Sequence, residues 1–182
     1  GSTIFGLPAS VSLSSAVTPN SLTPCFGGSS LPLSLIAQQT TLTVPTTGAS
    51  LGDRNVAVTG STVNSGETCD DRVANAGLHI YDFNISLSPS STTVLRGCST
   101  SYTVNVNLVS GSTGIGLPNV SLAVADKPAD ASSTLVSTSV AIGSSTTLNV
   151  TAGATTLGSN PIKVTGTVTG GSRDGIASIN IY

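Results

Sequence analysis

"TTLTVPTTGASLGDRNVAVTG" occupies residues 40–60, and "TTLNVTAGATTLGSNPIKVTG" occupies residues 146–166. The two stretches align without a gap at a constant offset, so that Leu42 matches Leu148 and Gly52 matches Gly158. An internal repeat of this kind indicates that one structural unit is used twice in the chain.

The similarity extends outward from these two stretches. "GSTIFGLPASVSL" at 1–13 resembles "GSTGIGLPNVSL" at 111–122, and "LHIY" at 78–81 resembles "INIY" at 179–182. Only the second copy is preceded by the segment 84–110, which predicts two further strands around a turn near Pro89. We therefore predict two tandem domains, 1–83 and 84–182, with the first incomplete within its own chain.

Apolar residues alternate with polar ones inside each copy. Leu42 and Val44 show this period in the first copy, and Ile179 and Ile181 show it in the second. A period of two predicts strands with one buried face, and Gly, Pro, Asn and Asp clusters separate the strands at short intervals. The pattern predicts an all-β fold of two antiparallel sandwich domains.

The composition excludes several classes of protein. Only 8% of residues are charged, and about three in ten are Ser or Thr, far from average usage. A mean hydropathy of +0.31 with a net charge of −2 argues against intrinsic disorder. Six scattered basic residues and a pI near 4.9 leave no basic surface for nucleic acid. The apolar runs are too short for membrane insertion.

The surface chemistry favours an extracellular, cell-surface location. The chain contains no Met, so we expect either that a signal peptide was removed or that Gly1-Ser2 is an expression remnant. A surface of Ser, Thr, Asn and Gly keeps its charge as pH varies, which suits exposure outside the cell.

The segments "NISLSPSSTTVLRG", "YTVNVNLVSGS" and "TTLNVTAGATTLGSNPIKVTGTVTGG" resemble the Ser/Thr-rich immunoglobulin-like repeats of secreted bacterial and archaeal surface proteins. The resemblance covers 84–182 as a complete repeat and 1–83 as a repeat without its first two strands. It implies an immunoglobulin-like sandwich and a surface location. Such repeats serve as stalks, spacers, adhesin modules or fibre subunits, so the resemblance implies no activity.

The missing strands suggest how copies of the chain associate. An incomplete sandwich exposes an unpaired edge and an apolar face, which folded proteins avoid. A strand donated by a second copy would fill the gap, and a head-to-tail exchange that does not close produces a filament. We predict the N-terminal segment with Ile4, Phe5 and Leu7 as donor. The C-terminal Ile179, Ile181 and Tyr182 are the second candidate, and pairing of either segment within its own chain stays open.

The three cysteines, Cys25, Cys69 and Cys98, lack metal-ligand spacing, and their odd count indicates one bridge with a spare thiol or pairing between chains. Cys25 and Cys69 share a domain and are the favoured pair in an oxidising compartment. As a less favoured hypothesis, Cys98 of one subunit meets Cys69 of the next.

Three tripeptides match the N-glycosylation pattern, beginning at Asn84, Asn119 and Asn149. A chain this rich in Ser and Thr also produces such matches by chance. They are candidate glycosylation sites.

The remaining polar residues indicate neither catalysis nor a cofactor. His79 is the single histidine and lies in a predicted strand without a nucleophile motif, whereas a hydrolase needs a nucleophile, a base and an orienting group. Glu67, Asp70 and Asp71 fall in one loop but do not match a calcium-loop spacing. Asp126 and Asp130 are weaker cation candidates still. We expect no enzyme, no metal and no cofactor.

The sequence thus favours a non-enzymatic structural subunit of a pilus-like or thread-like extracellular filament or surface array. Its expected partners are copies of itself. The alternative is a spacer, adhesin or carbohydrate-binding module of a larger surface protein. Sugar binding ranks below spacing because few aromatic residues are available.

Overall fold

The computed structural model of the chain describes residues 10–19, 22–32, 37–47, 49–64, 67–68, 71–111 and 116–182. The regular secondary structure of these residues is β-strand throughout, as the alternating pattern predicted. The strands are β1 (Ser10–Thr18), β2 (Cys25–Phe26), β3 (Ser30–Pro32), β4 (Leu42–Thr43), β5 (Gly52–Ser61), β6 (Val63–Asn64), β7 (Glu67–Thr68), β8 (Arg72–Ser88), β9 (Ser91–Val94), β10 (Ser99–Gly111), β11 (Asn119–Asp126), β12 (Ser132–Leu135), β13 (Ser139–Ala141), β14 (Ser145–Thr151), β15 (Gly158–Val168) and β16 (Gly171–Ile181).

The chain divides into two compact units, unit 1 (Gly1–Ile80) and unit 2 (Tyr81–Tyr182). Strand β8 contributes residues 72–80 to unit 1, where they pair with β5, and residues 81–88 to unit 2, where they pair with β10. Each unit has its own group of buried apolar side chains.

Unit 2 is a complete sandwich of two sheets. One sheet has the strand order β12-β14-β10-β8, and the other has the order β13-β11-β15-β16-β9. Neighbouring strands are antiparallel except for β9, which runs parallel to β16. This arrangement confirms the predicted all-β, immunoglobulin-like sandwich class.

The core of unit 2 follows from the period of two. In β10, Tyr102, Val104 and Val106 are fully buried, whereas Ser101 and Thr103 between them are exposed. Apolar side chains of both sheets meet in one cluster, because successive residues of a strand point to opposite faces. Its other buried members include Phe83, Ile85, Leu87, Val120, Leu122, Leu148, Val150, Ile162, Val164, Ile179 and Ile181.

The segment before β10 contains a strand that the sequence pattern did not predict. The predicted turn lies at Ser88-Pro89, but the chain then forms β9 beside β16 in the opposite sheet before it enters β10. The four residues of β9 are too few to show a clear alternation, so the pattern predicted two strands where the structure has three.

Tyr102 connects the two sheets of unit 2. Its hydroxyl donates a hydrogen bond to the backbone oxygen of Ser178 in β16, at 2.8 Å, and lies 2.7 Å from Thr92 Oγ1 in β9. The ring is fully buried, and burial raises the pKa of the Tyr102 phenol. A buried aromatic ring with a satisfied hydroxyl supplies both packing and directional bonding.

Ile85 packs into the space that two glycines of the facing sheet leave open. A Cβ added at Gly175 would lie 2.6 Å from Ile85 Cγ2 and 2.8 Å from Leu87 Cδ1, and one at Gly166 would lie 2.8 Å from Ile85 Cδ1. We expect Gly175→Ala to lower the free energy of unfolding by about 1–3 kcal/mol through overpacking. Urea denaturation followed by far-UV circular dichroism measures the change.

Gly171 is the matched control for this substitution. It lies in the same strand, and an added Cβ would meet no atom within 4 Å, so Gly171→Ala should change stability by less than about 0.5 kcal/mol. Equal free energies of unfolding for the two variants would show that the Ile85 side chain can move aside without loss of stability.

Unit 1 repeats part of this topology. Its sheet has the order β3-β1-β5-β8, which matches β13-β11-β15-β16 of unit 2, and β2 pairs with β4 as β12 pairs with β14. The pairing register of β5 with β8 agrees with that of β15 with β16, since Gly52 lies opposite Ile80 and its counterpart Gly158 lies opposite Ile181. The sequence repeat is therefore a structural repeat.

Among the described residues, unit 1 has no counterparts of β9, of β10 or of the part of β8 that belongs to unit 2. These are the strands of segment 84–110. Within the part of the chain that the structure describes, the first domain is thus incomplete, as the sequence predicted.

Among the described residues of unit 1, one charged side chain is buried, that of Arg54. Its guanidinium donates hydrogen bonds to the backbone oxygens of Pro19 and Ser50, at 2.7 and 2.9 Å, and to the Ser50 hydroxyl. The buried Nε atom has no hydrogen-bond partner in the structure. Val17, Leu22 and Val56 form a small core, and the partly buried side chains of Leu42, Val44, Ala49, Leu78 and Ile80 pack against it.

Candidate functional site

The candidate site is the inner face of unit 1 where the strands corresponding to 84–110 are missing. We call it the gap face and define it by five apolar residues that the strand register places on the same face of the sheet as Val17 and Val56: Val11, Leu13, Val58, Ala76 and Leu78. The cross-strand partners place them together, because Leu13 lies opposite Gly60, and Val58 lies opposite Ala74.

The repeat supplies an internal reference for the burial of the gap face. Ala177 in unit 2 is 5% exposed and Ile179 is fully buried, whereas their counterparts Ala76 and Leu78 are exposed and half-buried, respectively. Val164 is fully buried, and its counterpart Val58 is half-buried. The same positions are thus covered in unit 2 and only partly covered in unit 1.

The gap face adjoins an open strand edge. Residues 72–77 of β8 pair with β5 on one side and with no described strand on the other, and all six are exposed. In unit 2, β9 pairs with residues 178–181 of β16, which correspond to residues 77–80 of β8. An open strand edge beside an apolar face is a template for an added strand.

Unit 2 shows what kind of strand fits such a face. Phe83, Ile85 and Leu87 of β8 point inwards and are buried, while Asn84 and Ser86 between them are exposed. The gap face would accordingly accept an extended segment with apolar side chains at every second position.

The two predicted donor segments have different outcomes. Ile4, Phe5 and Leu7 lie outside the described residues. At the C-terminus, Ile179 and Ile181 are buried in the core of unit 2, paired with β15 on one side and β9 on the other. The C-terminal segment therefore pairs within its own chain and is not a donor, because its removal would open the core of unit 2.

Cys25 is a free, exposed thiol with its Sγ 3.9 Å from the backbone oxygen of Thr23. Cys98 is also free and exposed, in the turn between β9 and β10. Cys69 lies outside the described residues. The pairing of Cys25 with Cys69 therefore stays a prediction.

The three candidate glycosylation sites are exposed. Asn84 lies in β8, Asn119 in β11 and Asn149 in β14. The Asn84 side-chain oxygen accepts a hydrogen bond from Asn107, at 3.0 Å, and the Asn119 amide is 3.3 Å from Ser139 Oγ. Glycosylation at these residues stays a prediction.

His79 lies on the outer face of unit 1, where its Nδ1 is 2.8 Å from Asp53 Oδ1. Of the acidic loop, Asp71 is exposed and Asp70 lies outside the described residues. Within the described part of the chain, no group of three or more His, Cys, Asp or Glu residues is arranged to hold a metal ion. The same part contains no helix long and apolar enough to cross a membrane.

Asp130 has a structural role that its sequence position did not indicate. Its Oδ2 accepts hydrogen bonds from the backbone N–H and hydroxyl of Thr155, at 2.7 and 2.6 Å, and from the backbone N–H of Thr156, at 3.2 Å. These bonds hold the pKa of Asp130 well below its usual range. Gly153 leaves room for the carboxylate, with which any Cβ at that position would overlap.

Asp130 should make the stability of unit 2 depend on pH. A carboxyl whose pKa is lower in the folded state stabilises the fold above its unfolded pKa, about 3.9, and loses that contribution as pH falls towards the folded pKa. We expect Asp130→Asn to lower the melting temperature at pH 7 and the difference from the native chain to shrink below about pH 4. Thermal unfolding at pH 7, 5, 4 and 3 measures it, and a difference that stays constant would contradict the assignment.

No protein-family model matches the chain, and no curated protein matches it. Among solved structures, the chain is similar to domains 4 and 5 of the S-layer protein SbsC, at 16% identity and a TM-score of 0.41, over 93% of this chain and 76% of that one. It is similar to rSbsC(31-844) at 17% identity and a TM-score of 0.42, over 100% of this chain but 21% of that one.

The D0-D1 domain of intimin matches at 17% identity and a TM-score of 0.32, over 100% of this chain and 86% of that chain. Scores of this size do not establish a shared topology, and identities of this size do not establish a shared function. The functional assignment therefore rests on the geometry of unit 1.

The sequence predicted that unit 1 lacks strands, but it did not identify the residues of the gap face. Val11, Ala76 and Leu78 are apolar residues that belong to no recognisable sequence motif. The outward matches of the repeat could have found them, because 1–13 with 111–122 and 78–81 with 179–182 align them with buried residues of unit 2.

Proposed function

We propose that the chain is a non-enzymatic structural subunit of an extracellular filament or surface array, in which copies associate head to tail by β-strand exchange. The observation that carries this proposal is the gap face: Ala76 is exposed where its repeat counterpart Ala177 is 5% exposed. A strand from a second copy would cover the apolar face and pair the open edge of residues 72–77 at the same time.

The N-terminal segment supplies the proposed donor. Phe5 and Leu7 are two residues apart, so an extended backbone directs both side chains to one face, in the pattern of Phe83, Ile85 and Leu87 in unit 2. A strand that enters the next copy and does not return leaves the contact heterologous, and repetition of such a contact produces a fibre. The uncharged Ser- and Thr-rich surface supports an extracellular location.

Negative-stain electron microscopy and sedimentation velocity of the native protein test the proposal. We expect filaments or a concentration-dependent series of oligomers. Dispersed monomers at every concentration would overturn it and support the alternative, a spacer or adhesin module of a larger surface protein.

Variants of the N-terminal segment test the donor separately. The double variant Phe5→Asn, Leu7→Asn should abolish polymers, as should deletion of residues 1–8, because neither leaves an apolar face to insert. Thr3→Asn is the matched control, since it alters the same segment without removing an apolar residue. Polymers of unchanged length after the deletion would exclude this donor.

A further inference from the structure

In unit 2, Arg173 of β16 binds the first residues of the strand that covers its sheet. Its Nη2 and Nε atoms donate hydrogen bonds to Oδ1 of Asp82, at 2.7 and 3.1 Å. Its guanidinium carbon lies 6.0 Å from the centre of the Phe83 ring, which is within cation–π range. Arg173 therefore recognises a carboxylate followed by an aromatic ring in the covering strand β8.

Arg72 is the repeat counterpart of Arg173 in unit 1. It lies opposite Gly60 in β5, just as Arg173 lies opposite Gly166 in β15. Arg72 is exposed, and no ion pair joins it to another described residue. The strand register places it on the same side of the sheet as the gap face. Unit 1 thus has an arginine where unit 2 uses one to bind its covering strand.

Gly60 leaves a hollow in the gap face. At its counterpart Gly166, an added Cβ would lie 2.8 Å from both Ile85 Cδ1 and Val120 Cγ1, because both side chains pack into that space. At Gly60 the nearest atom to an added Cβ would be Val11 Cγ1, at 3.2 Å, and the three nearest atoms all belong to the sheet of Gly60 itself. Among the described residues, the side chain that a facing strand contributes to this hollow in unit 2 has no equivalent in unit 1.

A second position distinguishes the strand that unit 1 accepts from β8. The same register makes Ala74 of unit 1 the counterpart of Gly175. A Cβ at Gly175 would lie 2.6 Å from Ile85 Cγ2 and 2.8 Å from Leu87 Cδ1, and unit 1 has this Cβ. The covering strand of unit 1 therefore needs a residue that is not branched at Cβ in the first place and a smaller residue in the second.

We propose that the N-terminal segment of a second copy inserts into the gap face with Phe5 beside Arg72. Two residues later, Leu7 then enters the hollow at Gly60, because alternate residues of a strand point to one face. The same spacing separates the aromatic and the branched side chain that fill these places in unit 2. This inference rests on the proposed strand exchange and adds the register of the donated strand.

The sizes of the donor residues fit Ala74. Leu7 branches at Cγ and not at Cβ, so it lacks the Cγ2 atom that Ile85 places in the space of this Cβ. Two residues further on, Ala9 falls at the position of Leu87, and its small side chain leaves room for the same methyl group. A larger residue in the sheet is thus matched by smaller ones in the donor.

One contact of unit 2 has no equivalent in this register, and it supplies the first test. Ile4 falls at the position of Asp82, so Arg72 gains an aromatic ring but no carboxylate. Ile4→Asp supplies the carboxylate, and the protein concentration required for polymerisation should fall about twofold to fivefold, the range for an exposed ion pair. Any register that places residue 4 on the gap face predicts the opposite change, because it would bury the new charge.

Sedimentation velocity and electron microscopy measure this gain in two further conditions. It should disappear in about 1 M salt, where the Debye length is about 3 Å, and in the combination with Arg72→Gln. Arg96→Gln is the matched control, since Arg96 is an exposed arginine of unit 2, and it should leave the gain intact. Arg72 is itself exposed, so its replacement should not change the melting temperature of the dispersed protein.

Gly60→Ala tests the hollow. The added Cβ would take space that the register assigns to Leu7, so the concentration required for polymerisation should rise about fivefold or more through overpacking. Within unit 1 only a slight shift of Val11 is needed, and the melting temperature of the dispersed protein checks this. Gly171→Ala is the matched control, because its Cβ would meet no atom within 4 Å, and it should polymerise like the native chain.

The outcomes separate the register from the proposed function. If deletion of residues 1–8 abolishes polymers but Ile4→Asp weakens them or leaves them unchanged, strand exchange stands and this register is wrong. If Ile4→Asp strengthens polymers and the gain requires Arg72, the register is supported. A native chain that stays monomeric at every concentration overturns both.

Discussion

Replacing Tyr102 by alanine is expected to lower the free energy of unfolding of unit 2 by about 3–5 kcal/mol. The side chain is fully buried between the two sheets, so truncation removes its packing and leaves a cavity. It also leaves the backbone oxygen of Ser178 and the hydroxyl of Thr92 without their bonds to the phenol. This is the largest single loss that we expect in unit 2.

Tyr102→Phe separates the two contributions. It retains the ring and removes the hydroxyl, so the loss should be about 1–2 kcal/mol, the cost of a buried hydrogen bond. Tyr182→Phe is the control, because its side chain is exposed and the change should be within about 0.5 kcal/mol. Urea denaturation measures all three variants, and equal losses for Tyr102→Ala and Tyr102→Phe would show that packing contributes little.

Arg54→Ala is expected to destabilise unit 1 by about 2–4 kcal/mol, since hydrogen bonds to a charged group contribute more than neutral ones. The substitution removes the donors that satisfy the backbone oxygens of Pro19 and Ser50, and it opens a cavity beside Val56. Arg54→Met should lose less, because it fills most of the volume and removes a buried charge whose Nε is unpaired.

Amide hydrogen exchange read by mass spectrometry assigns this effect to the correct unit. Protection should fall in peptides that cover β5, while peptides from β14 and β15 of unit 2 serve as an internal reference. Arg72→Ala is the control, because Arg72 is exposed on β8. If Arg54→Ala exchanged no faster than this control, the buried arginine would not be holding unit 1 together.

Much of the fold followed from local pattern. The alternation in "TTLNVT" fixes which side chains of β14 point inwards, and the structure buries Leu148 and Val150 accordingly. The repeat offset likewise fixed the equivalence of β5 and β15. These predictions succeeded because the alternation within a strand and the similarity between two segments can both be read directly from the order of the residues.

Other features depended on residues distant in the chain. Asp130 binds Thr155 and Thr156, and Arg54 binds Pro19, pairs that no local pattern connects. The C-terminal donor candidate failed for the same reason, since Ile179 and Ile181 are held between β15 and β9.

The amino-acid sequence by itself determined that the chain is built from β-strands and that one unit is used twice, and it predicted that the first copy lacks the segment that corresponds to 84–110. Only the tertiary structure decided which apolar residues are covered. Ala76 and Ala177 are the same residue at the same point of the repeat, yet one is exposed and the other is buried. The reason is physical: alternation indicates the direction in which a side chain points, whereas burial requires a second layer of atoms. In unit 2 strands β8 and β10 provide this layer, and among the described residues of unit 1 no strands correspond to them.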